Sequence, residues 1–257
     1  MKIKLAHLNP KTLILICILS THAALSAAFS VNPGADAFVT TGPSGNLSGN
    51  NYGGAGALSV AAPGLAQGEF QSVLQFNLLG AKSSFDTQFG VGLWSIQSVV
   101  LQLTAAAPNN ALFNASAAGQ FNLSWMQNDS WVEGTGSPNT PALTGITFST
   151  LNNFLSGADE GLGTFSYDGA TSGSFSYSLS LSPSFSAEIL SGNTISLRMF
   201  AADNAISYLS DSRSFGSASA RPVLTITAVP EPGAISLSVL GLSILIWRRK
   251  VKRGAGD

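Results

Sequence analysis

The stretch Ser174-Phe175-Ser176-Tyr177-Ser178-Leu179-Ser180-Leu181 alternates hydroxyl and apolar side chains without a break. Only an extended strand sorts such a run into one polar and one apolar face, which makes it the half-buried strand of an antiparallel sheet. The same period recurs along the chain. Phe70, Ser72, Leu74, Phe76 and Leu78 oppose Gln71, Gln75 and Asn77. Val99, Leu101 and Leu103 follow, then Phe121, Leu123 and Trp125, then Ile195, Leu197 and Met199, and last Leu224 and Ile226. Less regular strands are expected over 37–41, 57–61 and 164–167. Loops rich in Gly, Asn, Pro and Ser, such as 42–54 and 105–114, separate them, as turn chemistry requires.

Helix signals are scarce. Residues 183–190, opened by Pro183 and followed by Gly192, read as one short helix capped by Ser182 or Ser184. Residues 151–155 read as a single turn. Many short strands with long loops, no βαβ alternation and no internal repeat predict an all-β chain. The expected fold is a single jelly-roll-like β-sandwich of about eight to ten strands over residues 29–229.

Both flanks differ from this body. At the N-terminus, Lys2, Lys4 and Lys11 precede an apolar run over 12–19 and the small residues Ser26-Ala27-Ala28. That is the order of a secretory signal peptide, 1–28, with cleavage after Ala28 or, alternatively, after Ser26. Cys17 is preceded by the bulky Ile16, which excludes a lipoprotein signal. At the other end, Pro230-Glu231-Pro232 leads into the apolar residues 233–247, closed by Arg248-Arg249-Lys250 and by Lys252-Arg253. As a helix the 15 apolar residues cover roughly 22 Å, against a hydrocarbon core of about 30 Å. Such a transmembrane helix spans only if the arginines snorkel. The basic stop leaves the tail cytoplasmic and the body outside.

The segment from Val229 to Arg253 resembles the PEP-CTERM sorting signal of bacteria, with tripeptide, apolar helix and basic tail in order. The resemblance implies that an exosortase-type processing enzyme recognises Pro230, Glu231 and Pro232. It would remove the tail and deliver the protein from a transient inner-membrane anchor to the cell surface or extracellular matrix.

The body is stripped of much catalytic chemistry. His7, His22 and Cys17 all lie in the leader, so the mature chain has no imidazole, no thiol and no disulfide. Nucleophile systems that need a histidine base, and zinc sites built on histidine or cysteine, are therefore excluded. Residues 29–229 hold 11 acidic side chains against 4 basic ones, a net charge of −7. Without a basic patch, nucleic acid is not an expected partner. A negative, hydroxyl-rich surface suits neutral glycans or divalent cations instead.

Several segments of the body carry a second resemblance. In order, they are Ala35-Asp36-Ala37-Phe38-Val39, Asn50-Asn51-Tyr52-Gly53-Gly54, Ser72-Val73-Leu74-Gln75-Phe76-Asn77-Leu78, Ser98-Val99-Val100-Leu101-Gln102-Leu103, Trp131-Val132-Glu133-Gly134-Thr135-Gly136, Ser212-Arg213-Ser214-Phe215 and Arg221-Pro222-Val223-Leu224. The series is similar to the DNRLRE-type domain, although the hexapeptide that names that family is absent. The resemblance implies a jelly roll akin to carbohydrate-binding modules of secreted bacterial proteins.

Among candidate site residues, Trp94, Trp125 and Trp131 could stack on sugar rings. Trp131, beside Asn128, Asp129 and Glu133 in an expected loop, is the candidate for glycan contact. Asp159-Glu160, or Asp129 with Glu133, could offer oxygen ligands to calcium, but no Asp-x-Asp-x-Asp spacing is present, so no cofactor or metal is assigned. Arg221 is expected to pair with a carboxylate across the sandwich or to cover its edge. The expected function is non-enzymatic: an exported surface or matrix protein that contacts exopolysaccharide. The alternative is a histidine-independent lyase or glycosidase using carboxylates, arginine or Tyr52, Tyr167, Tyr177 or Tyr208.

Overall fold

Eleven strands and three α-helices make up the computed structural model, which describes residues 25–109, 112 and 114–231. The leader's charged and apolar regions, Pro232, the apolar run and its basic stop lie outside the described residues. The strands are β1 (Ala27–Val31), β2 (Ala35–Thr40), β3 (Ala57–Ala61), β4 (Phe70–Asn77), β5 (Trp94–Thr104), β6 (Gly119–Met126), β7 (Glu160–Tyr167), β8 (Ser174–Leu179), β9 (Thr194–Ala201), β10 (Ser207–Asp211) and β11 (Val223–Pro230). The helices are α1 (Leu79–Phe89), α2 (Phe148–Leu151) and α3 (Pro183–Ser191).

Every strand pairing is antiparallel. A smaller sheet runs β1-β11-β5-β8, and a larger one runs β10-β3-β4-β9-β6-β7, with β2 paired to β4. The chain is an all-β sandwich. All the strongly alternating segments are strands, and their apolar residues enter one core. Val99, Leu101, Leu103, Leu224 and Ile226 of the smaller sheet meet Leu74, Phe76, Phe121, Leu123, Ile195 and Leu197 of the larger. The alternation ends at Leu179 in β8, leaving Leu181 exposed beyond it.

Aromatic rings tie the two sheets together. Phe121 lies 5.1 Å from Tyr177, edge to face, and 5.7 Å from Tyr208. Tyr208 stacks on Tyr167 at 4.1 Å. A second cluster (Ala37, Val39, Val73, Met126, Trp131, Ile146, Leu151) lies on the opposite face of the larger sheet, because Val73 alternates with Leu74 and Met126 with Trp125. The 127–155 segment covers that half of the face.

The structure adds β1, β10 and α1 to the expected elements, and moves the domain's first strand back to Ala27. α3 forms where expected and stops at Gly192 in the left-handed region (φ 72°). Its cap differs. Ser182 is at the N-cap position, but its hydroxyl makes no cap bond and donates instead to Glu160. The Glu160 carboxylate accepts from the Ser184 and Phe185 amides at 3.2 and 3.0 Å, so β7 caps the helix. The Ser182 hydroxyl and these amides pull the Glu160 pKa down to about 2.

Phe121→Ala would remove the ring shared by both sheets, and equilibrium denaturation should register a loss of about 3–5 kcal/mol. For Glu160, the cap's stabilisation is complete above the ordinary glutamate range. It is lost as pH falls toward 2, so Glu160→Gln should make thermal stability less sensitive to acid than in the parent protein.

Candidate functional site

The three tryptophans singled out from sequence are all interior. Trp131 is 4 % exposed, and its Nε1 donates to Ser196 Oγ at 2.9 Å on the covered half of the larger sheet. The expected glycan contact at Trp131 is thus corrected: the polar residues around it surround a core side chain. Trp94 donates to Asp86 Oδ1 at 2.9 Å, and Trp125 is buried between the sheets.

The acidic residues are placed as acceptors for nearby chain. Asp159 accepts from the Gln127 and Ser156 amides at 3.0 and 3.1 Å, while Glu160 caps α3. Asp129 is raised by burial and has no partner for Oδ1. Among the described residues, no group of three or more His, Cys, Asp or Glu side chains could hold a metal ion. All four tyrosines are buried. Burial pushes Tyr177 up to about 12 and raises Tyr208 and Tyr167 as well, so none of these three phenols supplies a base near neutral pH.

Residues from four of the quoted segments converge on one knot at the edge of β2. Arg213 pairs with Glu133, donating from Nε to Oε1 at 2.6 Å and from Nη2 to Oε2. Glu133 Oε1 also accepts the Asp36 amide at 3.0 Å, and Asp36 Oδ2 accepts the Arg213 amide at 2.7 Å. The Asn51 side chain donates to the carbonyls of Glu133 and Ile146, both at 2.7 Å, and accepts from Gly53 and Gly136 at 3.2 Å. Gly136 is required there, since a Cβ would lie 1.8 Å from the Asn51 carbonyl oxygen. Asp36 is fully buried and its Oδ1 has no partner. Desolvation, reinforced by Glu133 and opposed by the Arg213 amide and charge, lifts its pKa to about 7. The knot is self-satisfied apart from that one oxygen, with Arg213 partly exposed at its rim, which suits it to holding loops together. Arg221 reaches no carboxylate among the described residues and donates to the Phe215 carbonyl at 3.1 Å.

The part of the larger sheet's outer face over β9, β6 and β7 is more open: Asn122, Ser124, Arg198 and Phe200 are half-buried and Thr164 is exposed. On β9, the outward positions are Ser196, Arg198 and Phe200. Arg198 lies between Val73 of β4 and Ser124 of β6, and Phe200 beside Asn122. The guanidinium carbon lies over the Phe200 ring, 4.2 Å from its centroid, and Arg198 donates from Nε to Gln71 Oε1 at 2.7 Å. Gln71 in turn donates to Glu69 Oε1 at 2.6 Å. Beyond them, Thr164 of β7 donates to Asn122 Oδ1 at 2.7 Å. Lys82 and Arg213 form ion pairs with Asp86 and Glu133, whereas Arg198 forms none among the described residues. Its two terminal amino groups make no hydrogen bond among the described residues, and burial, opposed by the charges of Glu69 and Asp159, pulls its pKa down. Sequence reading did not single out Arg198. The available signal was a cation at an outward position of a regular strand, in a body with only 4 basic residues.

Asp36 binds a proton more tightly in the folded protein, so its contribution favours the fold below the ordinary aspartate range and fades as pH rises through about 7. Asp36→Asn should therefore remove up to roughly 4 kcal/mol of the decline in stability between pH 4 and pH 8, read from denaturation curves at each pH. No protein-family model matches the sequence, and no curated protein matches it either.

Proposed function

We propose that this chain is an exported, non-enzymatic protein of the cell surface or extracellular matrix. Its jelly-roll sandwich contacts exopolysaccharide through the outer face of the larger sheet over β9, β6 and β7. The observation that carries this reading is the row formed by Arg198 and Phe200 with Asn122, Ser124 and Thr164, behind which the buried Gln71 holds the guanidinium. Amides, hydroxyls and a held guanidinium are spread over a sheet face with an aromatic ring at their centre. Sugars are bound by such mixtures of planar groups and hydrogen-bonding side chains. The rival enzymatic reading is weakened, because the tyrosines are buried and Glu133 and Glu160 are occupied.

In this reading export uses the leader, and retention uses the tail that begins at Pro230-Glu231-Pro232, with Arg248, Arg249 and Lys250 as the stop. The pairs Ala27–Ala228 and Ala28–Thr227 favour leader cleavage after Ser26, which preserves all of β1, over cleavage after Ala28. The mass of the secreted form tests both ends. It should begin at Ala27 and lack the tail in cells with an exosortase, and an unchanged full-length tail in both backgrounds would refute the sorting reading.

Glycan binding is tested by affinity electrophoresis in a panel of bacterial exopolysaccharides. The protein should be retarded without shortening the polymer, and Arg198→Ala should weaken binding at least about tenfold, the loss expected for a charge-assisted hydrogen bond. Depolymerisation of the glycan would instead establish the enzyme.

A further inference from the structure

One end of the sandwich carries an apolar surface at the point where the chain leaves the domain. Between α1 and β5, the turn Gly90-Val91-Gly92-Leu93 has both glycines at positive φ (99° and 67°) and holds Val91 outward, 78 % exposed. Leu93 and, at the end of α3, Leu190 are also exposed, at 46 % and 40 %. Val91 and Leu190 line a cleft of about 340 Å³ with Lys82, Asp86, Trp94 and Glu231. β11 ends beside them. Pro230 pairs with Trp94, and the Glu231 amide donates to the Leu93 carbonyl at 2.9 Å.

We infer that this end of the sandwich sits on the lipid bilayer, with Val91, Leu93 and Leu190 in the boundary between headgroups and acyl chains. The inference rests on the proposed reading of residues 233–247 as a membrane segment. Its argument is the length of the tether. The apolar run begins two residues after Glu231, and two extended residues reach at most about 7 Å. That is comparable to the thickness of one headgroup layer, so an inserted run brings the Gly90–Leu93 turn to the membrane surface.

The shortness of the run acts in the same direction. Its roughly 22 Å falls short of the hydrocarbon core, and a short segment draws its flanking residues inward. Exposed valine and leucine side chains at that depth are stabilised there, whereas a charged rim would resist it. The ion pair of Lys82 with Asp86 leaves Glu231 as the one unpaired charge among the residues that line the cleft.

The test uses the full chain, carrying Cys17→Ser, in phosphatidylcholine vesicles. A dye is attached at Val91→Cys, at Leu190→Cys or at Ala218→Cys, the last being an exposed position before the far end of β11. Nitroxide-labelled lipids should quench the dyes at 91 and 190 at least about twofold more than the dye at 218, as burial by 5–10 Å requires. Equal quenching at all three positions in protein that floats with the vesicles would overturn the seat while leaving the anchor intact. Failure to float would overturn the anchor, and the seat with it. A blue-shifted dye at 91 without lipid quenching would show that the protein's own apolar run covers the patch, which also overturns the bilayer seat.

Discussion

Apolar burial between the two sheets carries this fold, because no cysteine lies within residues 25–231 and no covalent cross-link can share the load. The core is correspondingly rich in large rings. Phe121, Phe165, Tyr167, Tyr177 and Tyr208 come from four strands and both sheets, and each ring lies against at least one other. Their hydroxyls remain partnered inside, Tyr177 to Tyr208 at 3.3 Å and Tyr167 to the Ala170 carbonyl. Aromatic residues with polar tips can fill such an interior only when those tips find partners.

Long acidic-looking loops would ordinarily weaken a domain of net negative charge. Here the carboxylates are drawn into local structure. Asp159 closes its own turn, Glu160 caps α3 and Asp203 accepts the Gln120, Ala205 and Ile206 amides. Glu133 joins the β2 edge to Arg213. A carboxylate that accepts several amides is stabilised as the anion and is poorly available for other chemistry. Asp36 and Asp129 are exceptions, each with one buried oxygen that finds no donor.

Period two made the sandwich legible: Trp94 to Thr104 and Ser174 to Leu179 alternate between buried and more exposed positions, and alternation is visible without coordinates. β10 escaped because Ser207, Ser210 and Asp211 are all buried and erase the contrast between faces. β1 escaped because its alanines read as the small residues of a leader's end. α1 has Gly80, two serines and an apolar N-cap residue, Leu78, and packing of Ala81 and Phe85 supplies what propensity does not. The site was less legible than the fold. Trp131 looked exposed because its sequence neighbours are polar, yet burial is set by the 127–155 segment folding back over the sheet. Arg198 became visible only once β4, β6 and β9 were placed side by side.

The pairing of β1 with β11 has a geometric consequence. Ala27 opposes Ala228, so the chain enters and leaves the sandwich on adjacent strands, with backbones about 5 Å apart, at the same end. A precursor that still possessed both flanking apolar stretches would hang from two neighbouring points, like a pendant on a double loop. Were one of the two cut, the other would hold the same corner of the sandwich, and the domain would keep its orientation.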